Sequence, residues 1–406
     1  MSFLRQGMIY IVGEVGSKLL PFLMLPYLTR EMGTKGFGLL SYYLVIYTFS
    51  LIFISLSQDG ALGRYFYRYG TKGLASLLMA GWCLALVSTT LIVICLIAAG
   101  KTVFIPAVLL AFTQTVVLSL LSLKQCQKEA LAYIKIQFFI SLSVSILTII
   151  VFENIEASAE SRINTMLFSN IIGITFTLYF FNKSLDLFAL SYSRFKLHFK
   201  YILAFGVPLV VHQLSFFGKG QFDRFLISHA FSIEELGIYS AAFQVASILT
   251  VLLYALNKAI VPILYLKLKE RLLDKNDILK LTKMSFLLVP LPSLLSFLVP
   301  NEFYLFLLGS DFNGAKYYVV IFLLGLALHF PYQIMVNFLF YHGKNKQIAF
   351  ATFGSLIVHV TFIIWCSFEK ALQLIPYAIF ISNAYVLAVL YLQVSSFSKK
   401  TKMEDV

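Results

Sequence analysis

Glu14 and Lys18 stand one helical turn apart inside YIVGEVGSKLLPFLMLPY (10–27), a stretch that is otherwise almost wholly apolar. Acid before base at i,i+4 is the favourable order for an intrahelical ion pair. At the centre of a helix in hydrocarbon, each charge costs about 2.5–3.5 kcal/mol, and such groups face a partner or an aqueous cavity. Two readings stand: a self-neutralised pair that lets the segment enter lipid, or charge presented to a water-filled path. Gly13 and Gly16 sit beside the pair, and Pro21 and Pro26 follow, so this helix is expected to hinge at its prolines. A second group occupies GVPLVVHQLSFFGKGQFDRFLIS (206–228). Pro208 is expected to break that helix early, and Lys219, Asp223 and Arg224 gather near its far end. Lys219 and Asp223 repeat the i,i+4 spacing; if the apolar segment stops at Phe217, all three are interfacial anchors instead. Asp59 and Lys258 close two further apolar segments. Lys258, like Lys135 and Lys283, can snorkel to headgroups, whereas Asp59 is too short and needs a neighbouring cation such as Arg64.

The elements that must position these residues are long apolar helices. Of the 406 residues, 59% are hydrophobic and 13% charged, about half the charge of a soluble globular chain. Mean hydropathy is +0.85. Apolar stretches recur at about the 20 residues that cross a bilayer. The expected fold class is an all-α polytopic membrane protein with twelve spans: 7–29, 38–62, 73–99, 102–122, 131–152, 163–182, 201–228, 237–262, 281–299, 317–341, 348–368 and 371–395. The first stretch is too long, and too rich in proline, for a cleaved signal. With the N-terminus inside, twenty Lys and Arg fall on the cytoplasmic side and six outside, Arg162 among the latter. That bias puts both termini in the cytoplasm. It also accounts for the net charge of +13 without nucleic acid. Six bases but three acids remain within the spans, so the membrane interior is net cationic.

The longest polar connection, 182–200, divides the chain into a six-helix bundle over 1–190 and another over 191–406. The two look like copies. KGFGLLSYYLVIYTFSLIFISLSQDGAL (35–62) runs in register with EELGIYSAAFQVASILTVLLYALNKAIV (234–261), pairing Gly38 with Gly237, Ser41 with Ser240, and Gln58-Asp59 with Asn257-Lys258. Six spans separate the copies, so they share orientation and form a parallel repeat, an arrangement in which transporters place the substrate between the halves. Chance likeness between apolar helices is the alternative. Cysteine spacing suggests neither disulfide nor metal. No HExxH, Walker A or GxSxG element is present, so no enzyme activity is expected.

SKLLPFLMLPYLTREMGTKGFGLLSYY (17–43) resembles the opening of Wzx-type O-antigen flippases, in the polysaccharide transporter branch of the MOP (MATE-like) superfamily. SQDGALGRYFYR (57–68) is similar to a family element in which Asp and Gly precede Arg, here Asp59, Gly60 and Arg64. QFDRFLISHAFSIEELGIYSAAF (221–243) resembles the family's seventh and eighth spans, with Asp223 and Arg224 as the Asp-Arg pair. The resemblance implies a V-shaped pair of six-helix halves in the bacterial inner membrane. It implies alternating access that flips undecaprenyl-pyrophosphate-linked oligosaccharide from the cytoplasmic to the periplasmic leaflet, with no cofactor and possible coupling to an H⁺ or Na⁺ gradient. Membrane lipids, a polysaccharide polymerase and a chain-length regulator are the partners it implies. The cationic interior suits a pyrophosphate cargo, which guanidinium binds bidentately. Lys18, Arg64, Lys219, Arg224 and Lys258 are therefore the candidate binding set, and Glu14, Asp59 and Asp223 the candidate ion carriers. A multidrug or organic-cation antiporter of the same superfamily would favour an acidic cavity. A lipid-linked peptidoglycan precursor flippase would fit the charge but is expected to cluster arginines in its first two spans. A membrane polymerase or glycosyltransferase would need larger loops.

Overall fold

The computed structural model describes Gly16, residues 20–181 and residues 192–397; Glu14 and Lys18 lie outside the described residues. Regular structure among them is entirely helical. The α-helices are α1 (Leu25–Ser55), α2 (Gln58–Tyr69), α3 (Leu74–Ala98), α4 (Ile105–Cys126), α5 (Ala130–Asn154), α6 (Ala159–Phe181), α7 (Tyr192–Gly220) and α8 (Phe222–Ala230). There follow α9 (Ile233–Lys269), α10 (Lys275–Ser285), α11 (Pro290–Leu298), α12 (Asn301–Leu308), α13 (Ala315–Ala327), α14 (His329–Tyr341), α15 (Asn345–Phe368) and α16 (Tyr377–Ser395).

Eleven stretches among the described residues are long and apolar enough to cross a membrane. They correspond to the second through twelfth expected spans. Their outward faces carry the hydrocarbon: on α3, Leu86, Val87, Leu91 and Ile94 are exposed while Ser76 and Thr89 are buried. A continuous apolar exterior over a partly polar interior marks a surface solvated by lipid tails.

Local chemistry explains the breaks. Met24 interrupts the helix entering α1, where Pro26 in the first turn has no N–H to offer the preceding carbonyls. Gly33 then leaves helical geometry at φ 60°, ψ −174°, so α1 has two arms, 25–32 and 34–55, joined at the expected connection. Pro208 does not break its helix: α7 runs through it, and the interruption falls at Gln221. Helix α9 likewise continues through Pro262 and begins on a capping box, Ser232 with Glu235.

The chain forms two compact units, residues 1–225 and 226–406. The division falls later than the 190/191 boundary read from the sequence, because α7 packs against α1, α2 and α3. In the first unit, α4 is the central post, packed on α1, α2, α3 and α6. Leu62, Leu77, Leu84, Leu123 and Ile202 fill one core there, and Ile54, Ala85, Val108 and Ala111 another. In the second unit, Ile278, Met335, Leu339, Ala351 and Leu390 join α10, α14, α15 and α16.

Candidate functional site: the broken second span and its cationic end

The second span does not run straight. Between α1 and α2, Leu56 and Ser57 both adopt left-handed backbone, at φ 44° and 52°. Neither is glycine, so each sits in a conformation that costs of order 1 kcal/mol unless the surroundings impose it. Helix α7 does so. Gly206 faces the break so closely that a Cβ there would meet the Leu56 carbonyl oxygen and lie 2.8 Å from Leu56 Cβ. Two turns further on, Gln213 Nε2 donates to Ser57 Oγ at 2.6 Å. From the other side, buried Gln58 donates through Nε2 to the Gly81 carbonyl of α3 at 2.8 Å. The break follows an arm of α1 long enough to cross the hydrocarbon, so it lies at the membrane edge, where α7 and α3 satisfy its polar groups.

Helix α2 carries Asp59 in its first turn and Arg64 and Arg68 beyond it. All three are exposed. Asp59 suits the positive end of the helix dipole, and its carbonyl accepts from Ser122 Oγ at 2.9 Å. Arg64 stacks over the Phe205 ring of α7 at 5.8 Å, and Arg68 over Tyr69 at 5.5 Å. Beneath them, rings join α2 to α7: Tyr65 packs edge-on to His198 at 5.2 Å and to Tyr201 at 5.7 Å. His198 is tied to Ser76 Oγ at 3.0 Å and to the Tyr65 hydroxyl at 3.2 Å. Lys72, in the turn after α2, and Arg194, Lys196 and Lys200, on α7, add exposed charge. Asp59 is the single acid across 57–72 and 192–205. Among the described residues, neither Arg64 nor Arg68 has a carboxylate within 4.0 Å. The face can therefore receive a multiply charged oxyanion, with rings to stack against and guanidinium forks to bind it.

The other sequence-chosen residues are placed differently. Asp223 and Arg224 are both buried and adjacent. Arg224 Nη1 lies 3.3 Å from Asp223 Oδ1 and donates to the Gly220 carbonyl at 2.7 Å; its backbone N–H also donates to Oδ1, at 2.8 Å. Lys219 sits one residue before that end of α7. Fifteen residues of helix, about 22 Å at 1.5 Å per residue, separate Phe205 from Gly220. Arg64, beside the middle of α7, and the Lys219–Arg224 group, at the far end of that helix, thus stand well apart. Lys258 is exposed on α9 in the second unit, next to Asn257, whose Oδ1 accepts from Asn337 at 2.7 Å. Gln58 and Asn257, paired in the repeat register, each tether their span to a neighbouring helix.

Sequence reasoning gave Gln58 a place only in the repeat and passed over Gln213, Gly206, Tyr65 and His198. The amides had a signal, since Gln58 closes one apolar run and Gln213 lies inside another. Gly206 looked like any glycine, and only the packing of α7 gives it a role.

The described residues are all-helical, with eleven stretches long and apolar enough to cross a membrane, and known folds resemble them. The structure is similar to the lipid II flippase MurJ in an inward closed conformation, with a TM-score of 0.75 and 14% identity over 97% of this chain and 88% of that one. It is also similar to the inward-facing conformation of a multidrug resistance MATE family transporter of the MOP superfamily, with a TM-score of 0.66 and 15% identity over 93% and 96%. Residues 3–265, well over half of the chain, match the family described as polysaccharide biosynthesis protein, and the chain belongs to that family. A Haemophilus influenzae relative, Lsg locus putative protein 1, is 38% identical over 401 residues, spanning 98% of this chain and all of that one.

Proposed function

We propose that this protein flips undecaprenyl-pyrophosphate-linked oligosaccharide, an O-antigen or similar repeat unit, from the cytoplasmic to the periplasmic leaflet by alternating access. The carrying observation is the exposed pair Arg64 and Arg68, held on an aromatic platform beside a broken span. A diphosphate needs that charge; the attached sugar needs polar partners, because unpaired polar groups are costly in hydrocarbon. Arg64 makes the first contact in this reading. Lys18, Lys219, Arg224 and Lys258 receive the headgroup further along its path, and Pro21, Pro26 and the Leu56–Ser57 break are the hinges. With the cytoplasm negative, an outgoing anion moves downhill by about 2.3 kcal/mol per charge per 100 mV. Inward H⁺ or Na⁺ on Glu14, Asp59 or Asp223 supplies the reset, and the chain performs no covalent chemistry. Both termini then face the cytoplasm of a bacterial inner membrane, where a polymerase and chain-length regulator act on the exported unit.

The test is deletion of the gene followed by assay of the lipid-linked oligosaccharide for accessibility to glycosidase in spheroplasts and in inverted vesicles. Trapping on the inner leaflet is expected. An unchanged distribution, together with lost efflux of organic cations, would instead favour the antiporter reading that the MATE fold also permits.

A further inference from the structure

One stripe of α7 faces α2. Arg194, His198, Tyr201 and Phe205 recur at steps of four, three and four residues, which at 3.6 residues per turn is a single face of the helix. Lys196 and Lys200 fall on the other side. Tyr201 donates to the Ala61 carbonyl of α2 at 3.4 Å, and its ring meets Tyr65 and Tyr69 edge-on at 5.7 and 6.3 Å. Buried His198 is the fixed point of the stripe. Tyr65 donates its one hydroxyl hydrogen to the Lys72 carbonyl at 3.0 Å, so toward His198 it can only accept. The neutral imidazole therefore carries its proton on Nε2, and Nδ1 accepts from Ser76 of α3. Gly73, at φ 87°, crosses this pair so closely that a Cβ there would stand 3.0 Å from the Tyr65 hydroxyl and 3.1 Å from His198 Cε1. One ring thus fixes the start of α7 to α2, to α3 and to the turn between them.

Arg194 stands one turn before His198 on that face and is exposed. It lies within electrostatic reach of both Tyr65 and His198, as Arg64 and Arg68 do of Tyr201. Three guanidinium groups from two helices therefore border one knot of rings. Among the described residues, none of the three has a carboxylate within 4.0 Å. Cations that only set membrane orientation need no common focus. Like charges gathered around one anchored cluster repel, and an anion between them removes that cost. Two guanidinium forks already match the charge and the three free oxygens of a single phosphoryl group. A diphosphate supplies further oxygens and charge for a third.

We propose that Arg194 is a third binding arginine, which makes the cationic end select a lipid diphosphate over a lipid monophosphate. This rests on the flippase reading, because it takes Arg64 and Arg68 as contacts of the same headgroup. The test uses the full-length protein in phosphatidylcholine nanodiscs. Equilibrium binding of radiolabelled farnesyl pyrophosphate and farnesyl phosphate is compared, with empty nanodiscs subtracted. The wild type should prefer the pyrophosphate by about tenfold, the scale of one charge-assisted hydrogen bond. Arg194→Gln, at an exposed position, should fold normally and lose that preference, with farnesyl phosphate binding little changed. Arg194→Lys should recover only part of it, since an ammonium has no fork. Lys196→Gln removes equal charge from the opposite side of α7 and should weaken both probes slightly and equally. A preference in R194Q equal to that of the wild type would overturn the proposal, as would a K196Q effect as large as that of R194Q. Abolition of binding by phosphatidylglycerol in the host bilayer would overturn it too, marking a phospholipid headgroup site. If Arg64→Gln loses farnesyl pyrophosphate and R194Q does not, this inference falls and the flippase reading stands. A wild type that binds neither probe removes the cationic end from both.

Discussion

Gly206→Ala is the sharpest single perturbation of the broken span. One methyl is added, yet it would meet the Leu56 carbonyl oxygen and approach Leu56 Cβ to 2.8 Å. The obstacle is backbone, which cannot rotate aside. Either α7 moves away or the Leu56–Ser57 break opens. Overpacking of this kind costs about 1–3 kcal/mol. Displacing α7 by even half an ångström also loosens the 2.6 Å bond from Gln213 to Ser57, a further ~1 kcal/mol. The expected total is about 2–4 kcal/mol. The assay is thermal unfolding in detergent beside surface polysaccharide in cells, with membrane abundance checked by immunoblot. Gln213→Ala should lose only the smaller share, and the double variant should lose less than the two added together, since both act on one contact. If G206A unfolds and exports like the wild type, α7 does not hold the break shut and the account of this site fails.

Further outcomes follow from other residues. Arg64→Ala should abolish export at near-normal membrane abundance, because Arg64 is exposed and stacks only on Phe205, so its loss spares the core; wild-type export would return Arg64 to an ordinary interfacial cation. Glu129→Gln removes the carboxylate 3.1 Å from Lys124, whose side chain is 3% exposed and which keeps its hydrogen bond to Gln127 Oε1 at 3.1 Å. Because Glu129 itself is 46% exposed, the loss should be about 1–2 kcal/mol rather than the full penalty of a buried pair, read by thermal unfolding. His342, in the connection after α14, packs its ring on Phe338 and Phe397 at 4.6 Å. Partial burial, then Lys344, lowers its pKa. Its folded pKa is thus below the unfolded value of ~6.5, so its contribution is complete above pH ~6.5 and declines as pH falls through the lowered pKa. His342→Phe should flatten the pH dependence of Tm on the acid side, and an identical pH profile would remove His342 from the account.

The span pattern was readable because hydrocarbon imposes a length and an apolar composition on every crossing helix. Eleven of the twelve expected spans reappear, and the first lies mostly outside the described residues. What escaped were features decided by neighbours. Nothing in Leu56-Ser57 announces left-handed backbone, since such turns are usually signalled by Gly or Asn; the break exists because α7 and α3 hold it. Pro208 carried a breaking signal that the surrounding helix overrode. Arg162 sits close enough to a helix start to resemble an outer cation, yet its side chain is buried, and its bonds to Thr148 Oγ1 and the Val144 carbonyl of α5 explain why it turns inward. The unit boundary moved for a similar reason: composition locates a linker, but the packing of α7 decides which unit claims it.

The second arm of α1, 34–55, is about 33 Å long, enough by itself to match a hydrocarbon core of about 30 Å. Helix α2 is then surplus to the crossing. Its outward Arg68, Tyr67 and Tyr69 suit the headgroup layer. Changing the acyl-chain length of the host lipid would therefore load the elbow between them, leaving the rest of α1 unstretched. The same joint that shapes the cationic end makes it sensitive to bilayer thickness.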